Sequence, residues 1–201
     1  MATRYVEEQV NELLLQALET ERGGIQVYTH AIKAAQNDDL RKEWKEYLDQ
    51  TRHHEQVLLG IFADLGLDPE AQSPGRDVVR HLGEGLVQAI LMAIDTAPPA
   101  AAELVAGECV VLAETKDHLN WELIGHVAKH GKGPAAKVLQ AAHEEVEQDE
   151  DHHLYHTTGW TRELWIQSLG FAAVLPPPEE IRNVETAIGA SRAEQARSKM
   201  L

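Results

Sequence analysis

The stretch His143-Glu144-Glu145-Val146-Glu147-Gln148-Asp149-Glu150-Asp151-His152-His153-Leu154-Tyr155-His156 places four of the chain's eleven histidines among six carboxylates. It contains no proline or glycine and continues through Trp160 and Leu164, so it reads as one long helix that ends near Gly170. Two carboxylate-x2-His registers overlap in it, Asp149 with His152 and Glu150 with His153. Successive residues on a helix lie about 100° apart, so at most one register points fully toward a core. The apolar seam from Val146 to Trp160 passes nearest Asp149 and His153, which leaves both registers open. Glu144, Glu147 and Asp151 read as a solvated face.

The rest of the chain is helical too. Val10, Leu14, Ala17, Glu21, Gly24, Tyr28 and Ala31 recur at steps of three and four, a helix face with a glutamate inside it. After Asn37-Asp38-Asp39, a second helix runs from about Leu40 to Leu65 on Trp44, Leu48, Thr51, Glu55, Leu58 and Phe62; Gly66 and Pro69 stop it. A crossover from about Asp68 to Pro99 holds a short apolar helix near Leu82 to Ile94. Pro99 opens a third long helix with the face Leu104, Gly107, Val111, Glu114, His118, Trp121, Gly125 and Ala128, and the segment from Lys129 to Pro134 breaks it. No alternating strand pattern occurs. The layout predicts an all-α fold: a ferritin-like four-helix bundle over residues 1–170, with a long crossover between its second and third helices. Residues 171–201 form a Pro-rich break and a polar, helical tail, expected to pack on a neighbouring subunit of a homo-oligomer such as a dimer.

Lys and Arg total 18 against 33 Asp and Glu, a net charge of −15. Such a surface repels phosphate backbones and anionic lipid, which argues against nucleic-acid and membrane partners. Asp95, Pro98, Pro99, Glu103 and Glu108 interrupt the most apolar stretch, so no membrane span is expected. The single cysteine, Cys109, rules out an internal disulfide framework and fits a reducing compartment. Glu7 and Glu8 are foreign to a signal peptide. A cytoplasmic location is the expectation.

Part of the acidic excess falls on apolar seams. An ionised carboxylate buried without a partner costs several kcal/mol. Glu21, Glu114 and either Asp149 or Glu150 therefore call for something cationic between the helices. Two divalent ions answer that need, and mixed carboxylate–imidazole sets suit iron or manganese better than structural zinc, with zinc the third choice. The candidate ligands are Glu21, His54, Glu114, His118, Asp149, Glu150, His152 and His153. His118 lies one turn beyond Glu114 on the same face. Helix two offers no carboxylate three residues before its histidines: Gln50 precedes His53 and Thr51 precedes His54. Glu55 is the one substitute on that seam.

At these residues the chain resembles the ferritin-like superfamily, nearest to bacterial stress-associated proteins of the rubrerythrin-related kind. Glu21-Arg-Gly-Gly-Ile-Gln-Val-Tyr28 is similar to that superfamily's first-helix Glu-x6-Tyr. Tyr47 to Leu58 and Ile61 to Gly66 resemble its second helix. Glu114 and the Asp149–His153 run stand in the places of the third- and fourth-helix ligands. The resemblance implies a di-iron or di-manganese carboxylate centre that reacts with dioxygen or peroxide, as an oxidoreductase or in iron handling. Thr51 departs from the pattern, which has Glu there. Two other readings compete: a mononuclear bundle using His54 with His152-x3-His156, akin to thiol-dependent isomerases and transferases, and a metal-free helical interaction protein. The pairs His118-x3-Glu122 and His126-x3-His130 fit a hemerythrin-like order poorly.

Overall fold

The computed structural model describes residues 5–201, and every regular element in them is helical. The long helices are α1 (Glu7–Ala34), α2 (Asp38–Leu65), α3 (Pro74–Thr96), α4 (Pro99–His130) and α5 (Pro134–Ser168); the short α6 (Pro178–Ile181) and α7 (Ala187–Ala196) follow. Asn37 caps α2 by accepting the Asp39 and Leu40 amides, and Gly66, in the left-handed region at φ 66°, ends it. The α1–α2 turn is tied down from across the bundle: the buried Glu103 carboxylate accepts the Gln36 and Asn37 amides at 2.6 and 2.7 Å.

Helices α1, α2, α5 and α4 close a ring in which each touches two neighbours, and α3 lies outside against α1 and α4. The interior is two apolar clusters with a polar layer between them. One cluster gathers Tyr28, Leu40, Trp44, Leu48, Val110 and Trp160; the other gathers Leu14, Leu18, Leu58, Phe62, Trp121 and Val146. Each helix of the ring passes from one cluster to the other, and the order gives its direction. Helix α1 starts in the second cluster and ends in the first, and α2 and α4 run the opposite way. Helix α5 runs parallel to α1. The crossover must therefore return the chain to the far end, and α3, with Ile90 and Ala93 in the first cluster, does so.

That crossover helix starts earlier than the apolar pattern predicts, at Pro74 rather than near Leu82. Its first turns are held by charge, which hydropathy does not register. Ser73 accepts the Arg76 amide at 3.1 Å. Arg76, itself buried, donates to Glu19 at 2.7 Å, and Arg80 donates to the same carboxylate at 2.8 Å.

The tail is two short helices folded onto α5 of its own chain. Arg162 donates to buried Glu179 at 2.8 and 2.9 Å, and Arg197 donates to buried Glu163 at 2.7 Å. No helix among the described residues is long and apolar enough to cross a membrane.

Candidate metal centre

The polar layer has one contributor or more from every helix of the ring. Glu21 on α1, His54 on α2, Glu114 and Asp117 on α4, and Glu150 and His153 on α5 are all 4% exposed or less. Each lies between the residues that its helix gives to the two apolar clusters, which shut water out above and below.

Two sets of three converge. His54, Glu150 and His153 bring ligand atoms within 4.8 Å of one another, and so do Glu21, Asp117 and Glu150. Glu150 belongs to both. Its Oε1 stands 2.9 Å from His54 Nδ1, yet neither atom has a hydrogen-bond partner. A separation of about 3 Å is what two neighbouring ligands show when each sits about 2.1 Å from one ion. Glu21 Oε1 lies 3.8 Å from the same nitrogen, and His153 Nδ1 lies 3.5 Å from Glu114 Oε2 and 3.9 Å from Glu150 Oε1. Glu21 Oε2, Glu114 Oε2, Asp117 Oδ1, both Glu150 oxygens and both Nδ1 atoms are buried without hydrogen-bond partners. Native interiors rarely leave so many polar atoms unsatisfied in one place, and a bound cation satisfies them together.

The imidazoles are oriented from behind. His54 Nε2 faces Asp149 at 3.3 Å, and His153 Nε2 faces the Gln50 side-chain oxygen Oε1 at 3.0 Å. Gln50 in turn donates to Asp149 at 3.0 Å. Both partners are acceptors, so each Nε2 carries the proton and each Nδ1 is left bare toward the interior. On the opposite side the Trp121 indole donates to Glu21 at 2.9 Å. The rings of Tyr47 and Tyr28 stand 4.3 and 6.0 Å from that of His153 and wall the site.

The electrostatics follow from burial without cations. Desolvation, then the neighbouring Asp117 and Glu150, push the Glu21 carboxyl well above the usual range. Desolvation, then Glu150 and Glu114, do the same to Asp117, and Glu150 is pushed up to about 8 by burial and Glu114. The Tyr28 hydroxyl is raised well above its ordinary value by burial and Glu114, so it keeps its proton. Asp149, reached by the His54 proton, is held below the ordinary range.

Five of the sequence candidates, Glu21, His54, Glu114, Glu150 and His153, meet in this layer, and three stand outside it. Of the two α5 registers, Glu150 with His153 faces inward. Asp149 lies behind His54. His152 faces Glu185 at 3.6 Å and stacks on His156 with ring centroids 4.8 Å apart. His118 pairs with Asp151 at 2.9 Å on the outer side of the α4–α5 contact, and Asp151 is correspondingly half-buried rather than fully solvated. Glu55 does not supply the carboxylate missing from α2; it binds Arg22 at 3.1 Å. Thr51 is buried and donates to the Tyr47 carbonyl.

The third carboxylate of the oxygen-only set is Asp117, which the sequence reading passed over. The buried seam of α4 runs through Val110, Glu114, Asp117, Trp121 and Ile124, not through Val111 and His118. Both tracks keep helical spacing, and the histidine drew attention to the wrong one. Gln50 carried no signal. Comparisons with protein-family models, curated proteins and solved structures returned no match.

Proposed function

We propose that this chain is a ferritin-like metalloprotein that holds two iron or manganese ions around Glu150 and reacts with dioxygen or peroxide. The observation that carries the reading is the pair of buried ligand sets sharing that one carboxylate. The order of the helices and the resemblance at Glu21, Tyr28, Glu114 and the α5 run support it. One ion would take His54, His153 and Glu150, with Glu114 beside His153; the other would take Glu21, Asp117 and Glu150. The nitrogen-containing and oxygen-only sets differ in softness, so the two positions differ in affinity and in preferred metal. A redox-active pair, when bound, supplies the electrons that reduce dioxygen or peroxide.

The chain's own part is to hold and insulate. Asp149 and Gln50 fix the tautomer of both imidazoles, the Trp121 indole fixes Glu21, and Tyr28 and Tyr47 exclude water from the His153 side. Glu21, Asp117 and Glu150 hold protons in the metal-free chain and release them as cations enter, so loading strengthens as pH rises. The mononuclear reading loses its ligand set, since His54 lies with Glu150 and His153 while His152 and His156 stack elsewhere.

Elemental analysis of chain loaded with ferrous iron or manganese tests the proposal. About two ions per chain are expected, with the count falling in Glu21→Ala and Asp117→Ala. No retained metal, or a count that both variants leave unchanged, contradicts it. Ferrous iron oxidised no faster than in buffer would remove the oxidase part alone.

A further inference from the structure

Outside Glu150, between α4 and α5, a cavity of about 220 Å³ runs from the surface to the polar layer. Its lining is graded. Glu122, Glu147 and Glu185 are exposed at the mouth; His118, His143 and Asp151 are 15–19% exposed by side chain half-way in. Trp121 and Glu150, each 1% exposed, form the floor. Both Glu150 oxygens lack hydrogen-bond partners, so a buried, unsatisfied carboxylate lines this cavity as well as the interior centre. The His143 ring packs directly on the α4 backbone, where a side chain at Gly125 would come within 2.3 Å of it. The tail forms one wall through Glu185, Thr186 and Ala187.

Four further cavities lie along the helices, and none of them is lined by Glu21, His54, Glu114, Asp117, Glu150 or His153. The cavity between α1 and α3 carries Arg22 and Arg80. The cavity between α2 and the tail stops at Tyr47 and Gln50, whose polar atoms are engaged with Glu43, Asp149 and His153.

We infer that the α4–α5 cavity is the loading vestibule of the centre, a transit site where hydrated divalent cations shed water onto His118, His143 and Asp151 before Glu150 takes them. Carboxylates and imidazoles in that order exchange water ligands stepwise for firmer ones, and the exposed glutamates focus cations at the mouth. His118 and His143, which do not join the centre, thereby gain a role. The inference rests on the dinuclear reading of the interior.

The test is the rate at which the full chain takes up manganese(II), read by mixing, quenching with a chelator at set times and counting retained metal. Glu122→Gln/Glu147→Gln, two exposed changes, should slow uptake about tenfold at low ionic strength, with a flatter salt dependence than wild type and the same final count. Adding His118→Ala should slow it further. Glu46→Gln, at the α2–tail cavity, should load like wild type. Unchanged rates at full final count overturn the vestibule and leave the centre standing. Equal slowing by Glu46→Gln reduces the effect to general charge and overturns it too. A final count lowered by His118→Ala makes His118 a ligand of the centre, which also contradicts the transit role. A wild-type chain that retains no manganese defeats the centre itself.

Discussion

Glu19 and Glu21 sit two residues apart on α1, both buried, and the chain treats them in opposite ways. Glu19 receives the guanidinium groups of Arg76 and Arg80. Although burial pushes its carboxyl up, the two arginines bring it below the ordinary range. Glu163 and Glu179 on the tail side are met by Arg197 and Arg162 in the same manner. Glu21 has an indole N–H and three carboxylates around it, and its proton affinity rises. Glu19, Glu163 and Glu179 meet arginines and Glu103 meets two backbone amides, whereas four other carboxylates in one layer have no fixed cation. The difference separates carboxylates that hold helices together from carboxylates grouped so that they could hold a metal ion.

The largest effect is expected at Glu150. Glu150→Gln removes the carboxylate common to both ligand sets, and retained metal should fall from about two ions to fewer than one per chain by elemental analysis. On the structural side, Arg76→Ala leaves Glu19 with Arg80 as its one guanidinium partner and should cost about 2 kcal/mol in denaturant unfolding, with α3 loosening first. Glu21→Gln should act with the opposite sign. An amide keeps an acceptor for Trp121 and spares the folded chain the uptake of the proton that Glu21 holds, so the metal-free chain at pH 8 should gain on the order of 1 kcal/mol while losing metal.

The same contrast has a pH signature. Glu150 holds its proton up to about 8 in the folded chain, against an ordinary value of 4.5. The folded state thus binds more protons than the unfolded one across that window, and metal-free stability should fall as pH rises from about 5 to 8. Metal should flatten or reverse the trend in thermal melts at matched pH. The smallest effect belongs to the Arg22–Glu55 pair, partly exposed at 30% and 21%. Its removal by Glu55→Ala should cost about 0.5 kcal/mol or less and leave metal content unchanged.

The all-helical character and the four ring helices were legible in the sequence, because apolar spacing of three and four with proline and glycine breaks is a periodic signal. The start of α3 was not. Its anchor is Arg76 on Glu19, a contact between residues 57 apart in the chain that no local pattern announces. The layer itself was legible through Glu21, His54, Glu114 and the α5 cluster, each a polar residue on an apolar seam. Asp117 was missed because Val110–Asp117 and Val111–His118 are both valid helical tracks one residue apart, and only packing against α1 and α5 selects between them. The choice of Glu150 with His153 over Asp149 with His152 turned on the same 100° rotation. Gln50 acts through hydrogen bonds to His153 and Asp149 across the bundle, and composition says nothing of that kind.

The most direct measurement is anomalous scattering from crystals of the chain soaked in manganese(II). Two peaks flanking Glu150 are expected, one against His54 and His153 and one against Glu21 and Asp117. Peaks confined to surface carboxylates, with the polar layer empty at saturating manganese, would contradict the dinuclear centre.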